Sequence, residues 1–148
     1  MSKQIKQTNR SYTGTCLCGA VCYKVLGPLR DVVNCHCSLC LKFHGHYGAY
    51  TAALRENVFI KNENNLLAWY REMNNHARRG FCVVCGSSLF WDSEEAPTLS
   101  IAAGTLDQPT GLHSTTHIYT EDKGDYYDLS ENLQEFVHGL GESKYSVS

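Results

Sequence analysis

The feature that most constrains this chain is its set of eight cysteines, at positions 16, 18, 22, 35, 37, 40, 82 and 85 of 148 residues. They are bunched rather than scattered. An even cysteine count in a small secreted domain suggests a disulfide framework, but neighbours in a Cys-x-Cys pair on an extended strand cannot easily bridge each other. The opening MSKQIKQTNRSYTGT is polar and has no apolar signal-peptide core. Metal-bound thiolates in a reducing, cytoplasmic compartment fit better. No apolar run approaches the roughly 18 residues that a membrane span needs, so no membrane association is expected.

The length suits one domain, and an apolar fraction of 43% rules out a disordered chain. Thirteen Lys and Arg stand against fifteen Asp and Glu, a formal net charge of −2, which gives no field to hold a polyanion and argues against a nucleic-acid partner. Residues 1–12 read as a flexible leader, 13–140 as a single zinc-stapled domain and 141–148 as a tail. Short runs rich in Val, Thr and aromatic residues recur along the domain. A strand or tight hairpin is expected between Gly14 and Val25, Val32-Val33 leads straight into the next cysteine group, and further strands are expected at Tyr47–Leu54, Val58–Ile60, Leu66–Tyr70, His76–Phe81, Ser88–Trp91, Leu99–Ala102 and Thr115–Tyr119. The fold class is therefore mainly β, built from short antiparallel strands. A helix or 3₁₀ turn is considered over Asp128–Leu140, where Leu129, Leu133, Phe136, Val137 and Leu140 fall near helical spacing before Gly141.

Three cysteine groups carry chemistry. On a strand, Cys16 and Cys18 would project to one face roughly 6.5 to 7 Å apart at Cα, close enough for both sulfurs to reach one metal. Cys82-Val83-Val84-Cys85-Gly86 reads as a knuckle, a tight turn that puts two thiolates on one ion. Together they make a closed four-thiolate site that suits structural zinc. Cys35-His36-Cys37-Ser38-Leu39-Cys40 supplies three sulfurs within six residues. Three protein ligands with an exchangeable fourth position is the pattern of a reactive zinc. Cys22 is read as a small buried residue, with a fourth-ligand role as the alternative. His36, between two ligands, should point away from the metal, and His117 reads as a core residue. The spacing does not match either ferredoxin run, and a redox pair at Cys82 and Cys85 lacks the expected βαβ surroundings.

The segments Gly14-Thr15-Cys16-Leu17-Cys18-Gly19-Ala20-Val21, Cys35-His36-Cys37-Ser38-Leu39-Cys40 and Gly80-Phe81-Cys82-Val83-Val84-Cys85-Gly86-Ser87 resemble, in order, the glutathione-dependent formaldehyde-activating enzyme family, which also contains centromere protein V. The resemblance extends through Gly104-Thr105-Leu106-Asp107 and His117-Ile118-Tyr119-Thr120. It implies an Mss4-like β fold, a structural zinc on Cys16, Cys18, Cys82 and Cys85, a catalytic zinc on Cys35, Cys37 and Cys40, and formation of S-(hydroxymethyl)glutathione from glutathione and formaldehyde. The resemblance also raises the chance that His117 lines the pocket. Tyr126-Tyr127 stands where the family often carries a Trp.

Two zinc ions per chain would be held by seven thiolates, moving the formal charge from −2 to −5. Three thiolates leave a zinc ion at −1, a poor Lewis acid for water but a good partner for a substrate thiol, which it would deprotonate. An acidic thiol such as glutathione then needs basic help, for which Lys42, His44, His46, Arg78 and Arg79 are candidates, each also readable as part of a solvated face. Tyr47, Tyr50, Phe59, Trp69, Tyr70, Phe81, Phe90 and Trp91 read as mainly core. The expected function is a zinc-dependent carbon–sulfur lyase or synthase. The competing reading is a non-catalytic zinc-stabilised binding domain, both sites then being structural.

Overall fold

The computed structural model describes residues 10–73 and 76–140. Positions 1–9 of the expected leader and all of the expected tail, 141–148, lie outside the described residues. The first strand, β1 (Ser11–Thr15), pairs antiparallel with β2 (Cys22–Leu26), and β2 pairs with β5 (Val58–Lys61) to close a three-stranded sheet. Tyr12, Tyr23 and Val25 point inward from β1 and β2 while their neighbours in sequence face out, the period-2 pattern of a half-buried sheet.

Eight further strands form the larger sheet. They are β3 (Val32–Cys35), β4 (Gly48–Leu54), β6 (Leu67–Arg71), β7 (Ala77–Cys82), β8 (Ser88–Ser93), β9 (Thr98–Ala102), β10 (Ser114–Ile118) and the short β11 (Gln134–Glu135), in the order β11-β10-β3-β4-β9-β8-β7-β6. Pairing is antiparallel from β3 to β6, whereas β10 joins β3 and β11 in parallel. The fold is thus mainly β, and its two sheets pack face to face. Tyr23 of the small sheet meets Phe90 of the large one edge-on at 5.2 Å between ring centroids, and Val21, Val25, Leu89, Leu99 and Ile101 complete the buried core with them.

The other face of the large sheet carries the helix α1 (Ser38–His44), which the cysteine spacing did not announce. Alternation along β7 explains how the two faces are kept apart. Gly80 lies under Trp69 on the core face and Cys82 is fully buried in the core, while Phe81 meets Phe43 of α1 at 6.5 Å and Arg79 lies over the same ring.

Two expectations are corrected. Residues 128–140 form turns and β11 rather than a helix. Their backbone is drawn to β10 and to the segment after it: the Phe136 N–H donates to the His117 carbonyl, and the Tyr119 and Thr120 N–H groups donate to the His138 and Phe136 carbonyls. The aromatic set also divides. Phe59 and Tyr70 are exposed, at 54% and 55%, because they stand on the solvent faces of β5 and β6, whereas Phe90 is core.

Candidate functional site

Cys16 and Cys18 do not sit on a strand. Cys16 follows β1 directly and Cys18 lies in the turn to β2, which the Gly19 N–H closes on the Cys16 carbonyl at 3.2 Å. Gly19 takes φ +81 there and Gly86 takes φ +77 in the second turn, a left-handed backbone that costs glycine least. In that second turn the Gly86 N–H donates to the Cys82 carbonyl at 2.8 Å, as the knuckle reading requires. The Ser87 hydroxyl accepts the Leu17 N–H at 2.9 Å and ties the two turns together.

The result is one cluster of Cys16, Cys18, Cys82 and Cys85, whose sulfurs all lie within 4.8 Å of one another. Cys16 to Cys18 is 3.6 Å and Cys18 to Cys82 is 3.8 Å. A tetrahedral ion with metal–sulfur bonds of about 2.3 Å would place its ligands about 3.8 Å apart, so the four residues fit a closed metal site. Cys22 stays out of it: the side chain is half-buried at the start of β2, and its thiol faces the Gly19 carbonyl at 3.7 Å.

The second cluster gathers Cys35, Cys37 and Cys40, again with all sulfurs within 4.8 Å. Cys35 ends β3, Cys37 caps α1 and Cys40 sits in its first turn. The cap is made by sulfur, since Cys37 Sγ accepts the Cys40 N–H at 3.3 Å. Hydrogen bonds from Cys35 and Cys40 push the Cys37 thiol strongly down, and the same contacts hold Cys35 up. Thiolates this close oppose one another's ionisation, and a divalent ion would favour the ionised form of all three. Among the described residues, no fourth His, Cys, Asp or Glu joins this cluster.

The trio opens into a cavity of about 390 Å³, whose wall includes Arg30, Tyr50, Arg79, Trp91 and Tyr119. This volume is in the range of small-molecule sites. Tyr50 is buried, which pushes its phenol well above the ordinary value, and its hydroxyl is 2.6 Å from His44 Nε2. Burial, with Arg79 nearby, lowers the His44 pKa to about 4, so the imidazole is neutral. Gly48 makes this pair possible: a Cβ there would come within 2.7 Å of the Tyr50 ring and 2.8 Å of the His44 ring.

The expected basic residues separate on inspection. Arg79 lines the cavity, buried and bonded to Glu72 and Cys40. Arg78 faces away, paired with Asp92 at 2.9 Å and stacked over Trp69 at 3.9 Å. Lys42 is exposed outside this cavity, and His46 bonds the Tyr126 hydroxyl at 2.6 Å. The cation that sequence reasoning missed is Arg30, just after the Gly27-Pro28 turn. Its Nη2 donates to the Tyr50 carbonyl at 3.2 Å, and burial lowers its pKa to about 10. No local pattern marks it; only the approach of β4 brings it to the cavity.

His36 points away from the cysteines, as its alternation with them implies. Its ring is fully buried, with Nδ1 2.7 Å from the Tyr127 hydroxyl and Nε2 2.8 Å from His117 Nδ1, while His117 Nε2 is 3.0 Å from the Ser130 hydroxyl. Tyr127 oxygen also accepts the Gly124 N–H at 3.3 Å, so its own hydrogen is available to His36 Nδ1. The proton order then runs Tyr127 to His36 to His117 to Ser130, with both imidazoles neutral. Desolvation, reinforced by His117, lowers the His36 pKa to about 4, and desolvation lowers that of His117. His117 does not line the cavity; its neighbours Ile118 and Tyr119 do.

These features define a mainly β domain with one closed and one open cysteine cluster, each able to hold a metal ion. The sequence model for the glutathione-dependent formaldehyde-activating enzymes matches residues 11–122, and the chain belongs to that family. A Halomonas elongata protein, provisionally named a glutathione-dependent formaldehyde-activating enzyme, is 26% identical over 134 residues, covering 82% of this chain and 83% of its own. The crystal structure of a Rhodobacter sphaeroides protein solved by structural genomics shares the fold, with a TM-score of 0.56 at 24% identity over 65% of this chain and 88% of the other. Among the described residues, no helix is long and apolar enough to cross a membrane.

Proposed function

We propose that this chain is a cytoplasmic, zinc-dependent carbon–sulfur lyase or synthase, which adds the thiol of glutathione or a similar small molecule to a small carbonyl such as formaldehyde. The observation that carries this reading is the Cys35, Cys37 and Cys40 trio opening on a cavity, with no fourth donor among the described residues in the cluster. The other four cysteines would hold a second, structural zinc.

Zinc held by Cys35, Cys37 and Cys40 would supply the positive charge that keeps an incoming thiol ionised. The protein does the rest. The cavity wall places the thiol and the carbonyl carbon within reach, and Arg30 supplies positive charge for the carboxylates of an acidic thiol. As the new C–S bond forms, the C=O double bond opens and its oxygen takes a proton, while the proton that the thiol gave up on ionising leaves to solvent, from which the donor is then reprotonated. Tyr50, kept protonated by burial and seated against neutral His44, is the donor on the wall for that oxygen. The product is an S-hydroxymethyl hemithioacetal, and the reverse reaction is the lyase direction.

The test is calorimetric titration with glutathione and S-methylglutathione. An anchor through sulfur requires the free thiol to bind at least tenfold more tightly, because the methylated sulfur cannot ionise. Equal affinities would favour the non-catalytic binding domain. Metal analysis of protein made with adequate zinc should give two ions per chain, and one ion, or iron with visible absorption, would count against the reading.

A further inference from the structure

Arg79 is the least expected group beside the cysteine trio. It stands on β7 with a side-chain exposure of 3%, so it is not part of a solvated face. Its Nε donates to Glu72 at 2.5 Å, and its two terminal nitrogens lie 3.6 and 3.7 Å from Cys40 Sγ. The guanidinium carbon sits 5.3 Å from the centre of the Phe43 ring, one turn along α1 from Cys40. Glu72 on one side, Phe43 on another and Cys40 ahead leave the planar fork a single orientation, with both terminal N–H groups aimed at one sulfur.

We propose that Arg79 is a positioning residue for the cysteine trio, holding the Cys40 sulfur and withdrawing part of its charge so that one more anionic sulfur can be accepted beside it. This rests on the reading of the trio as a metal site open to a substrate thiol. Three thiolates and a divalent ion carry a charge of −1, and a fourth thiolate would raise it to −2 in a largely buried place. A guanidinium in direct contact with one of the sulfurs offsets that rise. Its N–H groups also lower the energy of the sulfur lone pairs, which makes Cys40 a weaker electron donor to the metal and leaves the metal more able to take another ligand. A lysine could supply the charge but not the fork.

The test uses the full chain loaded with two cobalt ions in place of zinc, comparing wild type with Arg79→Lys and with the double variant Arg79→Met/Glu72→Gln. The double variant avoids stranding a buried carboxylate, and a circular-dichroism melt confirms that it is folded. Two readouts are taken: the sulfur-to-cobalt charge-transfer band of the open site and the dissociation constant for glutathione. In the double variant the band should move to longer wavelength, and glutathione should bind about tenfold more weakly. Arg79→Lys should recover part of the thiol affinity. A folded double variant with the band and affinity of wild type would overturn the role of Arg79 while leaving the proposed function standing. A wild type that takes up only one cobalt ion would overturn both.

Discussion

Replacing one ligand of the closed cluster separates the metal's contribution to the fold from that of ordinary packing, because its four cysteines differ so much in burial. Cys18 is exposed, whereas Cys82 is fully buried and belongs to the hydrophobic core. Structural zinc contributes roughly 10–16 kcal/mol of apparent binding free energy in small domains, or about 3 kcal/mol per ligand if it is shared among four. For a chain of this size each kcal/mol moves the melting temperature by about 2–4 °C, so Cys18→Ser should lower it by roughly 6–12 °C. Cys82→Ser loses the same ligand and also buries a hydroxyl in the core, a further cost of about 1–3 kcal/mol, which brings the drop to roughly 8–24 °C. Cys37→Ser, in the wall of the cavity, should move it by less than about 4 °C while abolishing thiol addition. Differential scanning calorimetry at matched zinc, with metal content measured on the same samples, reads all three. A Cys18→Ser protein that has lost zinc yet melts with wild type would refute the staple argument, since exposure rules out packing as a compensating effect.

Gly48→Ala would place a methyl group 2.7 Å from the Tyr50 ring and 2.8 Å from that of His44. It should break their hydrogen bond, cost about 1–3 kcal/mol in urea melts and slow thiol addition as much as Tyr50→Phe does; the double variant should then be little slower than either single one. His36, neutral in the fold with a pKa lowered to about 4 from 6.5, gives an acid-sensitive term. The unfolded chain takes up a proton as pH falls through 6.5 while the folded chain does not, so this stability is complete above 6.5 and is lost progressively towards 4, up to about 3 kcal/mol. A stability profile from pH 7.5 to 4 should flatten in His36→Gln; an unchanged slope would mean that another group carries it.

The strands were legible because their signal is local. Ala77–Cys82 was expected at His76–Phe81, and Thr98–Ala102 at Leu99–Ala102, since each is a short run bounded by turn residues, and in the second Leu99 and Ile101 alternate with small or polar neighbours. Both cysteine clusters were legible for a chemical reason: few arrangements other than a shared metal call for thiols so close in sequence. Helix α1 was hidden because its seven residues are too short for a periodic pattern, and it begins at a cysteine, whose sulfur is an unusual cap. The mistaken helix at 128–140 had the right spacing, yet Phe136 and Val137 are 36% and 57% exposed, and the backbone that would have coiled is paired with β10 and the segment after it. Spacing alone cannot show that a parallel strand edge will claim a segment's N–H groups. His36 meets Tyr127 and His117 across separations of 91 and 81 residues, and Arg30 meets Tyr50 20 residues along, contacts that no short window along the chain reveals.

Strand β7 gives the two clusters a physical connection that their separation in sequence conceals. It carries Cys82 to the closed cluster on one face and, three residues earlier, Arg79 to Cys40 on the other. Its neighbours β6 and β8 hold it along both edges, and the Gly80/Phe81 irregularity in its pairing with β8 falls between the two functional side chains. A metal bound at Cys82 fixes the end of this strand, and with it the stem from which Arg79 reaches the open trio. The influence is unequal in the two directions. The trio hangs on β3 and the first turn of α1, neither of which supplies a ligand to the closed cluster. Loosening the trio therefore leaves the closed cluster's turns intact, whereas loosening the closed cluster frees the strand on which the trio's buried cation stands.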